Sequence, residues 1–405
     1  MTDTAEVASC DSVHGHIGRI CFKTGPPTTV GTEIEWLVVS PDHPRELVPL
    51  DLLRTTLDQA GPPPGGSTVT FEPGGQVELS SAPARGVAAC WSTLKSDIDH
   101  LREALATLDL RLLWTAIDPF REPRRQLSHP RYDAMEAYFD RRGPEGRLMM
   151  CSTASVQVNL DAGTDAADIA RRWRILHAIG PAMVAAFANS PLFAGRQTGW
   201  KSARQAVWQR LDPRRTRSPH GPDPVAAWAD YALDAPLMMR RDGERWHSDP
   251  GFTFRQWLHL RTDDGHVLND LDYHLTTLFP PVRPRGWFEI RYLDVVPAAY
   301  WPVPMAVLTA LVDDPRAGER ALAATAPVVE AWWNAARDGL DHPGLAHAAR
   351  CCFEAALEAL HRQGAERALV NLVDDYRLRY VDRGRCPADD GTDPLTSDSD
   401  REESR

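Results

Sequence analysis

The segment at residues 30–39, VGTEIEWLVV, carries two carboxylates whose spacing is suited to chemistry. Read as a β-strand it alternates, so Glu33 and Glu35 share one face while Ile34 and Trp36 point to the other. Like charges this close raise each other's pKa unless a cation lies between them. A sheet face with this pair is therefore either open to water or holds a metal ion.

Three other segments predict strands of the same kind, with an apolar back and a polar front. The residues on the polar fronts are Gln76, Glu78 and Ser80 (67–81), Ser155, Gln157 and Asn159 (151–160), and Glu289 and Arg291 (287–293). Glu72 precedes Pro73, where we expect a bend between two short strands. An ordinary antiparallel sheet with one wet face also alternates, but that face usually mixes Lys, Thr, Ser and Arg. Polar fronts rich in Glu and without Lys favour a functional surface.

The residue types on this surface restrict the ligands that it can hold. Carboxylates with Asn or Gln, and no His or Cys at metal-binding spacing, offer oxygen atoms, which favour Mg²⁺ or Mn²⁺ over Zn²⁺. Magnesium held by carboxylates beside arginines suits a triphosphate and phosphoryl transfer. Neither a GxxxxGK[ST] loop nor a GxGxxG at a strand–helix junction is present. This leaves a nucleotide site on a sheet face, as found in carboxylate–amine ligases.

Composition narrows the class of protein and its partners. The chain has 405 residues, of which 43% are hydrophobic and 25% charged, as in soluble globular proteins. Its net charge of −11 argues against a nucleic acid or an anionic membrane as partner. The seven cysteines lack CxxC or metal-type spacing, and the first twenty residues lack a signal-peptide pattern. We therefore expect a cytoplasmic protein with reduced thiols.

Helical periodicity appears between and after the predicted strands. It predicts helices at 93–110, at 166–189 with a kink at Pro181, and at 298–312, 317–338, 345–362 and 365–380. Residues 192–270 show weak periodicity, which is typical of substrate loops or lids. The fold class that follows is α+β: an antiparallel sheet with one working face, helices behind it and a helical C-terminal part.

The same patterns predict the domain organisation. Residues 13–386 are expected to form a single catalytic domain, with sheet motifs at 28–300 and a mainly helical part at 298–382. Residues 1–12 are expected to be a flexible N-terminus. The segment 387–405 is acidic and nearly free of apolar residues, which predicts a disordered tail.

Several of these segments together resemble the glutamate–cysteine ligase family, in the branch shared by plant and actinobacterial enzymes. The segments are GTEIEW (31–36), FEPGGQVELS (71–80), MMCSTASVQVNLD (149–161), KSARQAVW (201–208) and FEIRYLDVVP (288–297). CFKTGPP (21–27) is most similar to the actinobacterial group, whose ligase serves ergothioneine biosynthesis. The resemblance spans roughly residues 20 to 300 and is less sharp in the helical remainder.

The resemblance implies a fold and a reaction. The fold is glutamine-synthetase-like, with an antiparallel sheet funnel that holds ATP and metal on its inner face. ATP phosphorylates the γ-carboxylate of L-glutamate, and the amine of L-cysteine then attacks to give γ-glutamylcysteine. Two alternatives stay open: a related carboxylate–amine ligase with another amine acceptor, and a relative that binds metal or nucleotide without catalysis.

The resemblance also implies roles for individual residues. It assigns the metal ligands as Glu33, Glu35, Glu78 and Glu289, the last for a metal that bridges the β- and γ-phosphates. Glu72 is a further ligand or orients the glutamate amine, and could otherwise be only a turn residue. Gln157 and Asn159 match residues that touch metal or nucleotide, although Gln157 could merely bridge strands.

Two arginines complete the implied site. Arg291 matches the residue that stabilises charge on the transferred phosphoryl group, acting with Glu289, because a fixed guanidinium complements its oxygens. Arg204 matches an arginine that grips the α-carboxylate of glutamate. The alternative for Arg204 is a plain surface residue in a basic loop.

Overall fold

The computed structural model describes residues 10–219, 221–242, 245–248, 251–260, 267–391 and 394–395. Most of the predicted flexible N-terminus and acidic tail lies outside these residues. The prediction is wrong for residues 10–12, which open the first helix, and for 387–389, which form a turn of 3₁₀ helix. Residues 387–390 are held because Asp389 pairs with Lys201 and Asp390 pairs with Arg379 at 3.0 Å.

Strands and helices are numbered in chain order. The strands are β1 Thr29–Val39, β2 Thr68–Phe71, β3 Val77–Ser80, β4 Ala84–Arg85, β5 Arg111–Leu113, β6 Ser155–Asp161, β7 Leu192–Phe193, β8 Arg196–Gln197, β9 Met239–Asp242, β10 Arg245–Ser248, β11 Val282–Pro284 and β12 Trp287–Asp294. The helices of the first two thirds are α1 Cys10–Cys21, α2 Leu50–Ala60, α3 Gly86–Ala106, α4 Pro130–Asp140, α5 Glu145–Ser152, α6 Ala166–Ala178, α7 Gly180–Phe187, α8 Ala203–Leu211, α9 Pro213–Thr216, α10 Pro224–Asp234, α11 Phe254–Leu260 and α12 Val267–Leu275. The later helices are α13 Pro302–Asp313, α14 Pro315–Thr325, α15 Trp332–Asp338, α16 Pro343–Arg362 and α17 Arg367–Arg379.

Strand β1 lies in the middle of the main sheet, which is antiparallel. The strand order is β11-β12-β6-β1-β3-β2, and β4 and β5 pair with the two ends of β1. The register places Glu35 opposite Glu78 and Glu33 opposite Gln157. One strand further, Asn159 lies opposite Glu289. The four segments with polar fronts are thus neighbours in one sheet, as the sequence predicts.

The back of the sheet is apolar and covered by helices. Ile34 and Trp36 of β1 are fully buried, as is Val158 of β6. Helix α13 packs against β6, and its Met305 sulfur accepts a hydrogen bond from the Thr32 hydroxyl of β1 at 3.2 Å. Burying one large apolar side chain stabilises a fold by about 1.5–3 kcal/mol. Because alternate side chains of a strand point to opposite faces, burial of these apolar residues directs the polar side chains to the front of the sheet.

Several predicted element boundaries are wrong, and proline explains two of them. The helix predicted at 166–189 with a kink at Pro181 is interrupted at Ile179, next to the predicted kink, because Pro181 lies in the first turn of α7, where a missing N–H is tolerated; the boundary that differs is its end, at Phe187. The helix predicted at 317–338 is interrupted in the same way after Thr325, where Pro327 opens a short 3₁₀ turn.

Other boundaries differ without a proline. Helix α3 begins at Gly86 rather than at residue 93, and β6 begins at Ser155 because residues 151–152 end helix α5. The middle region 192–270, predicted to be irregular, contains helices α8 to α11 and the start of α12. No helix among the described residues combines the length and apolar character needed to cross a membrane.

Candidate active site

A cavity of about 660 Å³ lies over the polar front of the main sheet. Its charged lining comes from the main sheet and its turns, with Glu33, Glu35, Glu72, Glu78, Arg283, Arg285 and Arg291, and from helix α8, with Arg204. The opposite wall has sulfur and aromatic side chains: Tyr132, Met135, Met149 and Trp208 come from helices, and Phe279 comes from the segment after α12. The structure therefore brings four of the five predicted carboxylates, Gln157 and both predicted arginines into one pocket, whereas Glu289 and Asn159 are not among its lining residues.

Three carboxylates lie close enough together to hold a cation. One oxygen from each of Glu35, Glu72 and Glu78 lies within 4.8 Å of the others. Glu78 is further fixed by Thr70, whose hydroxyl donates to Oε1 at 2.8 Å. Glu33 stands beside this group on β1, two residues before Glu35. The donor set is entirely oxygen, which suits Mg²⁺ or Mn²⁺.

The turn between β2 and β3 aims Glu72 into this group. The Glu72 amide donates to the Gln76 carbonyl at 2.9 Å, and the Gly75 amide donates to the Glu72 carbonyl at 2.8 Å. Gly75 has φ +92°, which favours glycine. At Gly74, an added Cβ would collide with the Cys151 carbonyl. Glu72 is thus a turn residue, as the alternative interpretation of the sequence held. Its side chain nevertheless faces Glu35 and Glu78.

Burial and mutual repulsion make these carboxylates poor acids. Burial, reinforced by Glu289 and Glu78, raises the pKa of Glu33 to about 7. Burial and then Glu78 raise the pKa of Glu35 to about 7. The pKa of Glu72 rises to about 8 through burial and the charge of Glu35. A bound cation would reverse this cost, so the charge arrangement fits a metal ion.

Two amide side chains connect the acidic strand to the basic one. Gln157 donates from Nε2 to Glu35 at 3.0 Å and accepts from Nη1 of Arg291 at 2.7 Å. Asn159 donates to Glu33 at 2.9 Å and accepts from the Trp287 indole at 3.1 Å. Both residues bridge strands, so their predicted contact with nucleotide stays a prediction.

Glu289 is surrounded by arginines. Arg283 donates to both of its oxygens, at 2.7 and 3.1 Å, and Arg291 donates to Oε1. Burial would raise the pKa of Glu289, but Arg283 and Arg291 outweigh it and lower the pKa to about 2. A direct metal contact would require these ion pairs to open, so that role stays a prediction. Its observed contacts orient Arg291.

Arg204 lies in helix α8 and not in an exposed loop. Its side chain is only 2% exposed, so the surface alternative is wrong. Nη2 donates to the Arg291 carbonyl at 2.9 Å. Within the described part of the chain, Nε and Nη1 are buried without a hydrogen-bond partner. Buried donors of this kind are costly unless a ligand satisfies them.

Sequence reasoning did not predict that Arg283 and Arg285 line the cavity. It also did not predict the wall opposite the sheet, which consists of sulfur and aromatic side chains. Arg283 could have been found from the sequence, because it alternates with the apolar residues Val282 and Pro284 on β11. In the structure it lies opposite Glu289. Trp208 could also have been found, because it lies four residues after Arg204 on the same helix face. Met135 and Phe279 come from segments with no local sign that they meet at a cavity.

Comparison with known proteins shows the family to which the chain belongs. Residues 29–404 match the model of glutamate–cysteine ligase family 2 (GCS2). The chain is 43% identical to "Glutamate–cysteine ligase EgtA" of Mycolicibacterium smegmatis, over 97% of this chain and 93% of that protein. It is 42% identical to the protein of the same name from Mycobacterium tuberculosis, over 96% of this chain and 91% of that one.

More distant relatives extend the comparison. The chloroplastic glutamate–cysteine ligase of Arabidopsis thaliana is 31% identical, over 80% of this chain and 65% of that protein. A crystal structure of the Francisella tularensis glutamate–cysteine ligase in complex with AMP matches in fold, with a TM-score of 0.53 and 12% identity. It covers 91% of this chain and 84% of that one. The chain belongs to glutamate–cysteine ligase family 2.

Proposed function

We propose that this protein is an ATP- and Mg²⁺-dependent glutamate–cysteine ligase. It joins the γ-carboxylate of L-glutamate to the amine of L-cysteine through γ-glutamyl phosphate and gives γ-glutamylcysteine, ADP and phosphate. One observation carries the proposal: the carboxylates Glu35, Glu72 and Glu78 share a cavity with Arg291 and with the unsatisfied guanidinium of Arg204. The family and the relatives support the choice of substrates.

The acidic side of the cavity would hold the metal ion that the triphosphate needs. Glu33, Glu35, Glu72 and Glu78 would hold Mg²⁺, since they are oxygen donors whose repulsion a cation would relieve. Bound Mg²⁺ neutralises phosphate charge and orients the γ-phosphoryl group. The role of Glu289 as a further ligand stays a prediction, and its contacts are ion pairs with Arg283 and Arg291.

The arginines act on the two reacting partners. Arg291 presents a guanidinium fixed by Gln157 and Glu289, and stabilises the charge on the phosphoryl group during transfer. Arg204 takes the α-carboxylate of glutamate with Nε and Nη1, which have no hydrogen-bond partner among the described residues. Because Arg204 donates to the Arg291 carbonyl, the glutamate is held beside the site of transfer.

The pathway and compartment are also part of the proposal. We propose that γ-glutamylcysteine enters ergothioneine biosynthesis, a role supported by likeness to the two EgtA proteins. We place the reaction in the cytoplasm, where thiols stay reduced, as the seven free cysteines are here.

The test is phosphate release from ATP with Mg²⁺ and L-glutamate, with and without each amino acid, followed by the mass of the product. Phosphate formed strongly only with glutamate plus cysteine, together with the mass of γ-glutamylcysteine, is the expected result. Glutamate-dependent turnover with another amine in place of cysteine would point to the related ligase. Folded protein that binds ATP and Mg²⁺ without turnover would point to a non-catalytic relative.

Arg204→Ala should raise the KM for glutamate by roughly 10- to 100-fold and change the KM for cysteine much less. A charge-assisted hydrogen bond to a carboxylate contributes about 1.5–3 kcal/mol, which corresponds to this range. Steady-state kinetics with each substrate varied in turn measure the effect. Arg204→Lys serves as the second variant, since it keeps the charge opposite buried Asp294. Equal increases for glutamate and cysteine would refute the carboxylate clamp.

Stabilisation by Mg²⁺ should increase with pH. The raised pKa values of Glu33, Glu35 and Glu72 mean that the metal-free protein loses stability as these groups ionise, between their ordinary values near 4.5 and about 8. Magnesium binds the ionised form and removes this cost. The rise in Tm caused by MgCl₂ should therefore be larger at about pH 8.5 than at about pH 6. KCl at matched ionic strength is the control, and a rise that does not change with pH would contradict the prediction.

A further inference from the structure

Asp294, the last residue of β12, is buried beside the substrate arginines and has no role so far. Its side chain is 2% exposed. Oδ2 accepts the Asn189 amide at 2.9 Å and the Ser190 hydroxyl at 2.8 Å, and Oδ1 accepts the Ser202 hydroxyl at 2.9 Å. Arg204 Nη1 lies 3.8 Å from Oδ1. A buried carboxylate is therefore connected to the helix that carries Arg204.

Ser190 and Ser202 each link Asp294 to the first turn of helix α8 by hydrogen bonds. The Ser190 hydroxyl donates to Asp294 and accepts the backbone amide of Arg204 at 3.2 Å. The Ser202 hydroxyl donates to Asp294 and accepts the amide of Gln205 at 3.1 Å, as the N-cap of the helix. Each hydroxyl is thus used once as donor and once as acceptor. The carboxylate fixes where α8 begins.

Asp294 also acts on the Arg204 side chain. Burial lowers the pKa of Arg204, and Asp294 opposes this more strongly than any other group. At 3.8 Å the carboxylate compensates the charge but is too far for a hydrogen bond to Nη1. The Nη2 group is directed to the Arg291 carbonyl on the same strand, β12. Nε and Nη1 therefore stay available to a ligand.

We propose that Asp294 is a positioning residue that holds Arg204, charged and in a fixed place relative to Arg291, for the α-carboxylate of glutamate. The proposal rests on the function proposed above, in which Arg204 binds that carboxylate. It adds a residue that touches no substrate and acts through Arg204. Two elements, the end of β12 and the start of α8, are joined by this one carboxylate, so the glutamate site and the phosphoryl site keep a constant separation.

The test is Asp294→Asn, which keeps the shape and most of the hydrogen-bonding capacity but removes the charge. The KM for glutamate should rise roughly tenfold, as for residues that orient a binding group, while kcat and the KM values for ATP and cysteine change less than about threefold. The same substitution in the Arg204→Ala background should produce no further rise, because residues that act through one another are not additive.

Asp212→Asn is the matched control. Asp212 is also a buried aspartate beside a buried arginine, Arg215, at 3.3 Å, but Arg215, unlike Arg204, does not line the cavity. This variant should lower Tm without a selective change in the KM for glutamate. Where Asp294→Asn does not fold, Ser190→Ala replaces it, since it removes the link from Asp294 to the Arg204 amide but keeps the carboxylate, and it should shift the same KM in the same direction.

The outcomes separate the two proposals. A selective rise in the KM for glutamate that disappears in the Arg204→Ala background supports the positioning role. A lower Tm with unchanged KM for glutamate, or equal rises for every substrate, would overturn it. If Arg204→Ala itself leaves the KM for glutamate unchanged, the proposed substrate clamp fails, and the positioning role fails with it.

Discussion

Glu35→Gln is expected to lower the kcat of the ligase reaction by at least about 100-fold and to raise the Tm of the metal-free protein. Glu35 contributes an oxygen to the only three-carboxylate group within the described residues that could hold a cation. Even residues that merely orient metal ligands are worth roughly 10- to 100-fold. Gln keeps the shape and accepts from Gln157, but removes one negative charge from the group. Steady-state phosphate release and thermal unfolding in EDTA measure the two effects.

The opposite signs of the two effects make the prediction specific. Glu35 has its pKa raised to about 7, so at higher pH its ionisation costs stability that Gln does not. The gain in Tm should therefore be larger at about pH 8.5 than at about pH 6. Glu103→Gln on the exposed face of α3 is the matched control and should change neither quantity. A Glu35→Gln enzyme with near-normal turnover would remove this residue from the metal site.

Alternation predicted the sheet residues because it is a local property. On a strand every second side chain shares a face, so Glu33 with Glu35, and Glu289 with Arg291, were paired without knowledge of their neighbours. The order of the strands, and so the contact of Gln157 with Glu35, depends on pairing between distant segments. That order could be expected from a family resemblance but not from the residues themselves.

The helical wall could not be predicted for a related reason. Met135 and Phe279 reach the cavity from segments more than a hundred residues apart, and apolar residues look the same whether they line a pocket or fill a core. Arg204 was taken from a motif with weak periodicity, because a helix of nine residues gives little pattern. The role of Asp294 depends on two serines twelve residues apart that meet only in the folded chain.

Arg291→Lys is expected to lower kcat by about 100- to 1,000-fold and to change the KM for glutamate only a few-fold. Arg291 donates from Nη1 to both Gln157 and Glu289, which fixes the plane of its guanidinium. Lysine keeps the charge, but its ammonium has three donors, so only one would be left for the phosphoryl oxygens after Gln157 and Glu289, and the planar Nε and Nη2 donors would be lost. The loss of one fixed donor to developing charge costs roughly this much. Single-turnover phosphate transfer from ATP to glutamate, before cysteine is added, measures the step directly.

The comparison with Arg285→Lys tests whether position or charge matters at Arg291. Arg285 also pairs with Glu289, at 3.4 Å, but its side chain is half exposed and less constrained. Its replacement should therefore cost less than about tenfold. We expect the Arg291→Lys enzyme to stay folded, because Arg283 still neutralises Glu289. A lower kcat would therefore not reflect unfolding. If Arg291→Lys keeps near-normal kcat, positive charge alone is sufficient at this site, and if both variants lose activity equally, the position of Arg291 has no special importance. If Arg291→Lys raises only the KM for ATP, Arg291 binds the nucleotide and does not stabilise the transition state, because an interaction made only in the transition state lowers kcat.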